Sequence, residues 1–198
     1  MILEKSLPKD GNRVWKVTTE PAIEPITVDE LKLFARIDGS DEDTLLESFI
    51  TSARLHIENY LNRSLIEQTI TMKMDYWSGE TIEIPRPPLI SITAVETLDE
   101  SDTATVYSSS NYFLNTQSEP GLLILKNGVT PPQNTTRFYG GYQIRYKAGY
   151  GATAASVPKS SRDALKQWAT SMYENRAVGS EPPDEVKPLL DFYRVHVI

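Results

Sequence analysis

The spacing of apolar residues changes twice along this chain of 198 residues, and the two changes constrain its fold. Between Asp41 and Asn62 apolar side chains recur every three or four residues, which predicts an amphipathic helix. Between Ile66 and Tyr76 they alternate with polar side chains, which predicts a half-buried strand. Helical spacing returns after Pro158. The order of periods therefore predicts an α+β chain with β structure between two helical segments.

Two helices are expected on each side of the β segment. The first spans residues 27–37, where Thr27 and Glu30 form a capping-box pattern and Gly39 is placed to end the helix. After Pro158 comes a long helix, and a short final helix is expected to start near Lys187 because Pro188 suits only a first turn. The two long helices carry apolar stripes that we expect to pack together: Leu46, Phe49, Ile50, Ala53 and Ile57 against Leu165, Trp168, Ala169 and Met172.

Short strands are expected between the helical segments, at Thr81–Ile84, Leu89–Leu98, Tyr112–Leu114, Leu122–Lys126 and 137–148. Their spacing and the prolines between them favour a small antiparallel unit. The predicted organisation is an N-terminal extension at 1–20, a discontinuous α-helical bundle at 21–64 and 157–198, and a β-rich insertion at 65–156.

The charge of the chain is acidic, with 27 acidic and 20 basic side chains and a formal charge of −7. Ten acidic and four basic residues fall within 19–64. This balance argues against binding duplex nucleic acid by phosphate neutralisation. The chain has no cysteine, which excludes disulfides, thiolate chemistry and cysteine-ligated metals. No run of 18 apolar residues and no signal-peptide pattern appear, so a soluble protein made in the cytoplasm is expected.

A search for catalytic or cofactor motifs finds none in the sequence. His56 and His196 lack the partners of an HExxH metal site, and no GxSxG elbow or phosphate-binding loop is present. The acidic run at 41–43 fits a helix N-terminus better than a calcium loop. We therefore expect no catalytic residue, no metal and no cofactor, and a structural role becomes the default.

Several stretches in a fixed order resemble the head–tail connector (adaptor) family of tailed bacteriophages and related gene transfer agents. The resemblance covers about residues 20–195. It is carried by TVDELKLFARID at 27–38, by the segments 43–54 and 58–65, by IPRPPLISI at 84–92, by YKAGYG at 146–151 followed by Val157-Pro158, by 165–176, and by 186–194.

The resemblance implies a small α-helical bundle with a β-rich insertion, and a structural virion protein rather than an enzyme. Adaptors of this family form a ring, usually of twelve subunits, under the portal of the capsid. The ring extends the DNA channel, through which DNA passes without specific binding, and docks the stopper or tail. The implied partners are the portal protein, a stopper or tail-completion protein, and other copies of the chain, at the head–tail junction of the virion.

Two sets of site residues follow as expectations. The family's C-terminal segment engages the portal, and the apolar end of this chain is expected to be poorly ordered until it binds there; it comprises Tyr193, Arg194, Val195, His196, Val197 and Ile198. The alternative is that this segment packs on its own bundle. Arg36, Arg54 and Arg63 are candidates for ion pairs between subunits, or for ordinary pairs within the chain.

Two other functions remain open at this point. One is a stopper or tail-completion protein of the same virion, which would be dominated by β structure. The other is a hydrolase without a recognisable motif, for which the β insertion would serve as a lid. The order helix, insertion, helix argues against the first, and the missing motifs argue against the second.

Overall fold

The computed structural model describes residues 13–133, 136–175 and 181–195, and the chain separates into two units. The first, here called the β unit, comprises residues 1–20 and 68–148. The second, the helical unit, comprises residues 21–67 and 149–198. Across the described residues the chain forms four α-helices and two antiparallel sheets, so the expected mixture of α and β structure is confirmed.

The helical unit contains all four described helices. They are α1 (Val28–Ala35), α2 (Asp43–Leu61), α3 (Lys159–Asn175) and α4 (Lys187–Leu190), with single 3-10 turns at Ala154–Ser156 and Asp191–Tyr193. The start of α1 is the predicted capping box: the Thr27 hydroxyl accepts from the backbone N–H of Glu30 at 3.1 Å, and the Glu30 carboxylate accepts from that of Thr27 at 2.9 Å. None of these helices is long and apolar enough to cross a membrane.

The ends of α1 and α2 use residues other than glycine. Arg36 ends α1 in the left-handed conformation, with φ at 56°, so the expectation that Gly39 ends this helix is wrong. Asn62 ends α2 in the same way, with φ at 53°. Each cap directs its backbone N–H to a carbonyl of the last turn, which compensates for the strain of a side chain in this region. The chain therefore turns three residues earlier than glycine placement suggested.

The core of the helical unit lies between α2 and α3. Leu46, Ile50, Ala53 and Ile57 from α2 share one buried cluster with α3, as the apolar stripes predicted. The α3 members are Leu165, Trp168, Ala169 and Met172. Phe49 is only partly buried and packs at the edge of the cluster, since it stands beside the stripe and not at its centre. His56 lies against Trp168, with ring centroids 5.4 Å apart.

The described residues of the β unit form eight strands: β1 (Val14–Thr19), β2 (Gln68–Met74), β3 (Thr81–Ile84), β4 (Leu89–Leu98), β5 (Ala104–Val106), β6 (Tyr112–Asn115), β7 (Gly121–Leu125) and β8 (Tyr142–Ala148). Five of them form a sheet in the order β1-β2-β8-β4-β5. The other three form a sheet in the order β3-β7-β6. Ile70, Met72 and Met74 of β2 are fully buried while the residues between them are not, which confirms the alternation in the sequence.

Two strands and one boundary differ from the sequence-based expectation. The expected N-terminal extension contributes β1, in which Val17 pairs with Ile70 of β2 at the edge of the larger sheet. The other missed strand, β5, has three exposed residues and so no apolar alternation to reveal it. The last strand, β8, begins at Tyr142 and not near Arg137. Short edge strands form only when a neighbouring strand supplies their hydrogen bonds, and a short window of sequence does not identify that neighbour.

The segment after β8 belongs to the helical unit. The backbone N–H of Glu67 donates to the Gly151 carbonyl at 2.9 Å, and that of Tyr150 donates to the Leu65 carbonyl at 3.1 Å. Gly149 makes this approach possible, since its φ is +132° and an added Cβ would lie 2.5 Å from the Ile66 carbonyl carbon. The unit boundaries therefore fall at 67/68 and 148/149, where the sequence suggested 64/65 and 156/157.

Candidate functional site

The C-terminal residues of the helical unit fold back onto the end of α2. We call residues 191–195 the C-terminal hook. The backbone N–H of Val195 donates to the carbonyl of Leu61 at 3.0 Å, and the Asn62 side-chain amide donates to the Val195 carbonyl, also at 3.0 Å. The Arg63 guanidinium donates to the carbonyl of Tyr193. These contacts fix the backbone of the hook at three points on one helix end.

Side chains of the hook reinforce this attachment. The Tyr60 hydroxyl donates to the Asp191 carboxylate at 2.5 Å, and this hydrogen bond, together with partial desolvation, raises the pKa of Tyr60. The Arg194 guanidinium lies 4.5 Å from the centre of the Tyr60 ring. Tyr193 packs against the helical core, whereas the neighbouring Phe192 is 90% exposed. The hook therefore holds one large aromatic side chain out in solvent on an anchored backbone.

This arrangement changes the expectation for the C-terminal segment. Tyr193, Arg194 and Val195 have contacts within the chain, so the described part of the segment is anchored and not loose as expected. His196, Val197 and Ile198 lie outside the described residues. Sequence reasoning did not select Phe192, although an aromatic residue following a short helix near a chain end was the available signal.

Two of the three candidate interface arginines are buried within the helical unit. Arg54 is 3% exposed; it donates to Glu24 at 2.8 Å and to Glu58 at 3.1 Å. The second Glu58 oxygen accepts from the backbone N–H of Leu65 at 2.8 Å. Arg63 is also buried, and its guanidinium donates to the Tyr150 hydroxyl at 3.3 Å as well as to the hook. Both guanidiniums therefore make contacts within the chain, the alternative that the sequence had left open for them. Only Arg36 is exposed.

The polar face of the larger sheet forms a second feature of interest. Strand pairing sets Val14, Lys73, Gln143 and Glu96 in one row across four strands. The next row along the strands has Lys16, Thr71, Arg145 and Ala94. We call this surface the basic sheet face. A shallow groove of about 580 Å³ runs over it, flanked by Trp15.

The described residues do not form a metal centre. No group of three or more His, Asp or Glu side chains among residues 13–133, 136–175 and 181–195 is placed to hold a metal ion. In the acidic run at the start of α2, Asp43 pairs with Lys32 at 2.8 Å and Glu42 accepts from the Tyr173 hydroxyl at 2.5 Å. The run therefore joins neighbouring helices, in line with the helix-terminus interpretation.

Comparisons with solved structures give the same fold. A chain from the neck of an empty gene transfer agent particle, computed with C6 symmetry, is 21% identical at a TM-score of 0.81, covering 93% of this chain and 97% of the other. A chain from the virion of a native gene transfer agent particle is 24% identical at a TM-score of 0.79, with the same coverage. A third, from the neck of a native particle computed with C12 symmetry, is 23% identical at 0.70, covering 92% and 97%.

Comparisons of sequence identify the family. None of the curated proteins compared matches this chain. The family model described as head completion protein matches residues 24–180, which span most of the chain and both units. This match confirms the expected kinship with head–tail connectors, and it makes the role structural and not enzymatic. The chain therefore belongs to the head completion protein family.

Proposed function

We propose that this chain forms a ring beneath the portal of a DNA-filled head, extends the DNA channel and docks the stopper or tail. The family match supports a place at the head–tail junction. The structurally similar chains come from particle necks computed with C6 and C12 symmetry, which supports a cyclic ring, with twelve copies as the expected number. In this proposal the helical unit supplies the family's bundle and the β unit supplies its insertion.

The C-terminal hook is the proposed contact with the portal, and the exposure of Phe192 is the observation that carries it. An aromatic side chain that is 90% exposed is costly to leave in water and is typical of a residue that fills a partner's pocket. Its backbone is already fixed by Leu61, Asn62 and Arg63, so little conformational entropy is lost on binding. The remaining residues, 196–198, would extend this contact.

Charge supports a passive channel wall. The helical unit carries sixteen acidic and ten basic side chains, while the β unit carries eleven and ten. A wall with excess negative charge repels phosphates, so DNA can slide past it without being held. Of the three arginines considered for pairs between subunits, Arg36 is the exposed one, at the end of α1. It is proposed to pair with an acidic side chain of the next copy in the ring.

A binding assay with heads tests the portal contact. DNA-filled heads that lack this chain are mixed with purified wild type or with Phe192→Ala, and the bound copies per head are counted after sedimentation. Leu33→Ala is the matched control, because Leu33 is an exposed apolar residue on α1, 84% accessible. We expect wild-type occupancy for the control and a loss of about tenfold or more for Phe192→Ala. If the Phe192 variant occupied heads as fully as wild type, the hook would not be the contact with the portal.

A further inference from the structure

Two cations on the basic sheet face form no ion pair with the described residues of their own unit. Glu96, which is nearly buried, accepts from Arg145 at 2.5 Å and from Gln143 at 3.0 Å. Through this hydrogen bond Glu96 raises the pKa of Arg145, so that pair is already satisfied. The ammonium groups of Lys16 and Lys73 form no ion pair with any residue that the structure describes. The groove over this face therefore presents uncompensated positive charge.

The opposite pattern occurs in the helical unit. Asp38 and Asp41 are exposed in the turn between α1 and α2, and Glu47 is exposed on the second turn of α2. Within the described chain none of these three carboxylates has an ion-pair partner. The neighbouring carboxylates of Glu42 and Asp43 are used within the unit, as described above. We call Asp38, Asp41 and Glu47 the acidic turn.

We propose that the basic sheet face of one copy binds the acidic turn of the next copy in the ring. The inference rests on the ring assembly proposed above. Copies in a ring of more than two subunits meet through two different patches and not through one patch shared with itself. This chain carries two such patches of opposite charge, on different units, and each lacks a partner in the described chain.

Charge complementarity favours a second copy over DNA as the occupant. The groove holds three cations, one of which is already paired, and its chain has a net charge of −7. Duplex DNA is held by larger clusters of cations on a surface of one sign. A copy of the helical unit has six more acidic than basic side chains, and its acidic turn offers three carboxylates to the two cations that form no ion pair in the described chain. Pairs exposed to solvent are screened by salt, so the contact should weaken as ionic strength rises.

Cysteine cross-linking tests this contact directly, because the chain has no cysteine of its own. Lys73→Cys and Asp41→Cys are prepared as separate full-length proteins, and each is added to heads lacking this chain, alone or as an equal mixture, with a short bifunctional maleimide. We expect cross-linked dimers only from the mixture of the two single variants. A protein that carries both substitutions should give a series of cross-linked oligomers up to the full ring. Dimers from one single variant alone would indicate a patch that meets itself and would overturn the inference.

Charge reversal supplies an independent readout. We expect Lys73→Glu to lower the occupancy of heads about tenfold or more at low salt, and Asp41→Lys to restore it when the two changes are combined. Lys159→Glu is the matched control, since Lys159 is exposed on α3 in the helical unit and its replacement makes the same charge change. Equal occupancy for wild type and Lys73→Glu would overturn the inference.

Two further outcomes separate the competing explanations. If wild-type protein binds heads as a ring while the mixed cysteine proteins do not cross-link, the ring is supported and the proposed contact is overturned. If wild-type protein does not form a ring on heads, the proposed function is overturned, and with it the contact that rests on it. Fluorescence anisotropy with a labelled duplex tests the remaining occupant: DNA binding that Lys73→Glu removes while ring assembly stays normal would assign the groove to DNA and overturn the inference.

Discussion

The backbone N–H of Val195 donates a 3.0 Å hydrogen bond to the carbonyl oxygen of Leu61, the last residue of α2. A carbonyl in the last turn of a helix has no partner within the helix, so the chain terminus supplies one here. The C-terminus of this protein is thus part of the helical unit up to Val195. The hook can both stabilise the helical unit and bind a partner. Different residues would serve the two roles: those bound to the end of α2 for stability, and the exposed Phe192 for binding.

Two truncated chains should separate the contribution of the hook to stability from that of the residues after it. A chain ending at Val195 keeps every contact of the hook, so we expect its melting temperature to stay within about 1 °C of wild type. A chain ending at Phe192 loses the hydrogen bonds of Leu61, Asn62 and Arg63, and its melting temperature should fall by several degrees, roughly 2–4 °C per kcal/mol lost. Differential scanning calorimetry on both chains checks this. Equal melting temperatures for the two truncations would show that the hook contributes no stability.

Arg54 should be the most sensitive polar position in the helical unit. Replacing it by Met removes the partner of Glu58, a carboxylate that is itself 2% exposed, and leaves that charge buried without its guanidinium. We expect a loss of roughly 3–5 kcal/mol in the free energy of unfolding. Lys166→Met is the control, since its pair with Asp163 is partly exposed and should be worth about 0–1 kcal/mol. Urea denaturation measures both, and similar losses would contradict a buried network.

Leu45 and Leu46 offer a matched test of the core. The side chain of Leu46 is completely buried in the cluster of α2 and α3, whereas Leu45 is 40% exposed. Leu46→Ala should therefore lower the free energy of unfolding by about 2–5 kcal/mol, because it leaves a cavity. Leu45→Ala should cost no more than about 1.5 kcal/mol, since solvent replaces the lost atoms. Equal effects in urea denaturation would place the core on a different face of α2.

Tyr146 should make the β unit sensitive to alkali. Its hydroxyl donates to the Pro85 carbonyl at 3.0 Å, and burial raises its pKa well above the ordinary value, against a smaller opposing effect of Arg86. The folded state thus favours the protonated phenol, while the unfolded chain releases the proton near pH 10. Stability should be constant with respect to this group below about pH 10 and should fall as the pH rises further.

The comparison with Tyr146→Phe isolates this effect. The variant loses one buried hydrogen bond, about 0.5–1.5 kcal/mol, at neutral pH, yet its stability should decline less steeply than that of wild type above pH 10. Tyr139→Phe, at a side chain 61% exposed, serves as the control and should follow wild type. Chemical denaturation at a series of pH values gives the slopes. Parallel slopes for wild type and Tyr146→Phe would show that the phenol is not held protonated by burial.

Local sequence was sufficient for most of the secondary structure and for one side of the core. The Thr27 and Glu30 pattern predicts a cap that forms within four residues, and the stripe on α2 places Leu46, Ile50 and Ile57 on one face. The alternation in β2 predicts which of its side chains are buried. These features depend on interactions between residues a few positions apart, so a short window of sequence contains the information.

The candidate site was less accessible to the same reasoning. The guanidinium of Arg63 contacts Tyr193, which is 130 positions away along the chain, and Arg54 contacts Glu24, 30 positions away. From sequence alone Arg54 is a charge on a helix and Arg63 a charge just after it, and nothing local shows that a distant segment covers either one. Phe192 is the converse case. An aromatic side chain suggests burial, and only the path of the hook leaves this one exposed.

Sequence by itself determined the kind and order of the four helices and of six of the eight described strands, because helical and strand periods, caps and prolines act within a turn or a strand. Tertiary structure alone decided that β1 joins the sheet through Val17 and Ile70, which charges are buried, and that the hook returns to the end of α2. Such pairings are chosen by the free energy of desolvating and satisfying groups that meet only after the chain has folded, and that energy depends on neighbours far away in sequence.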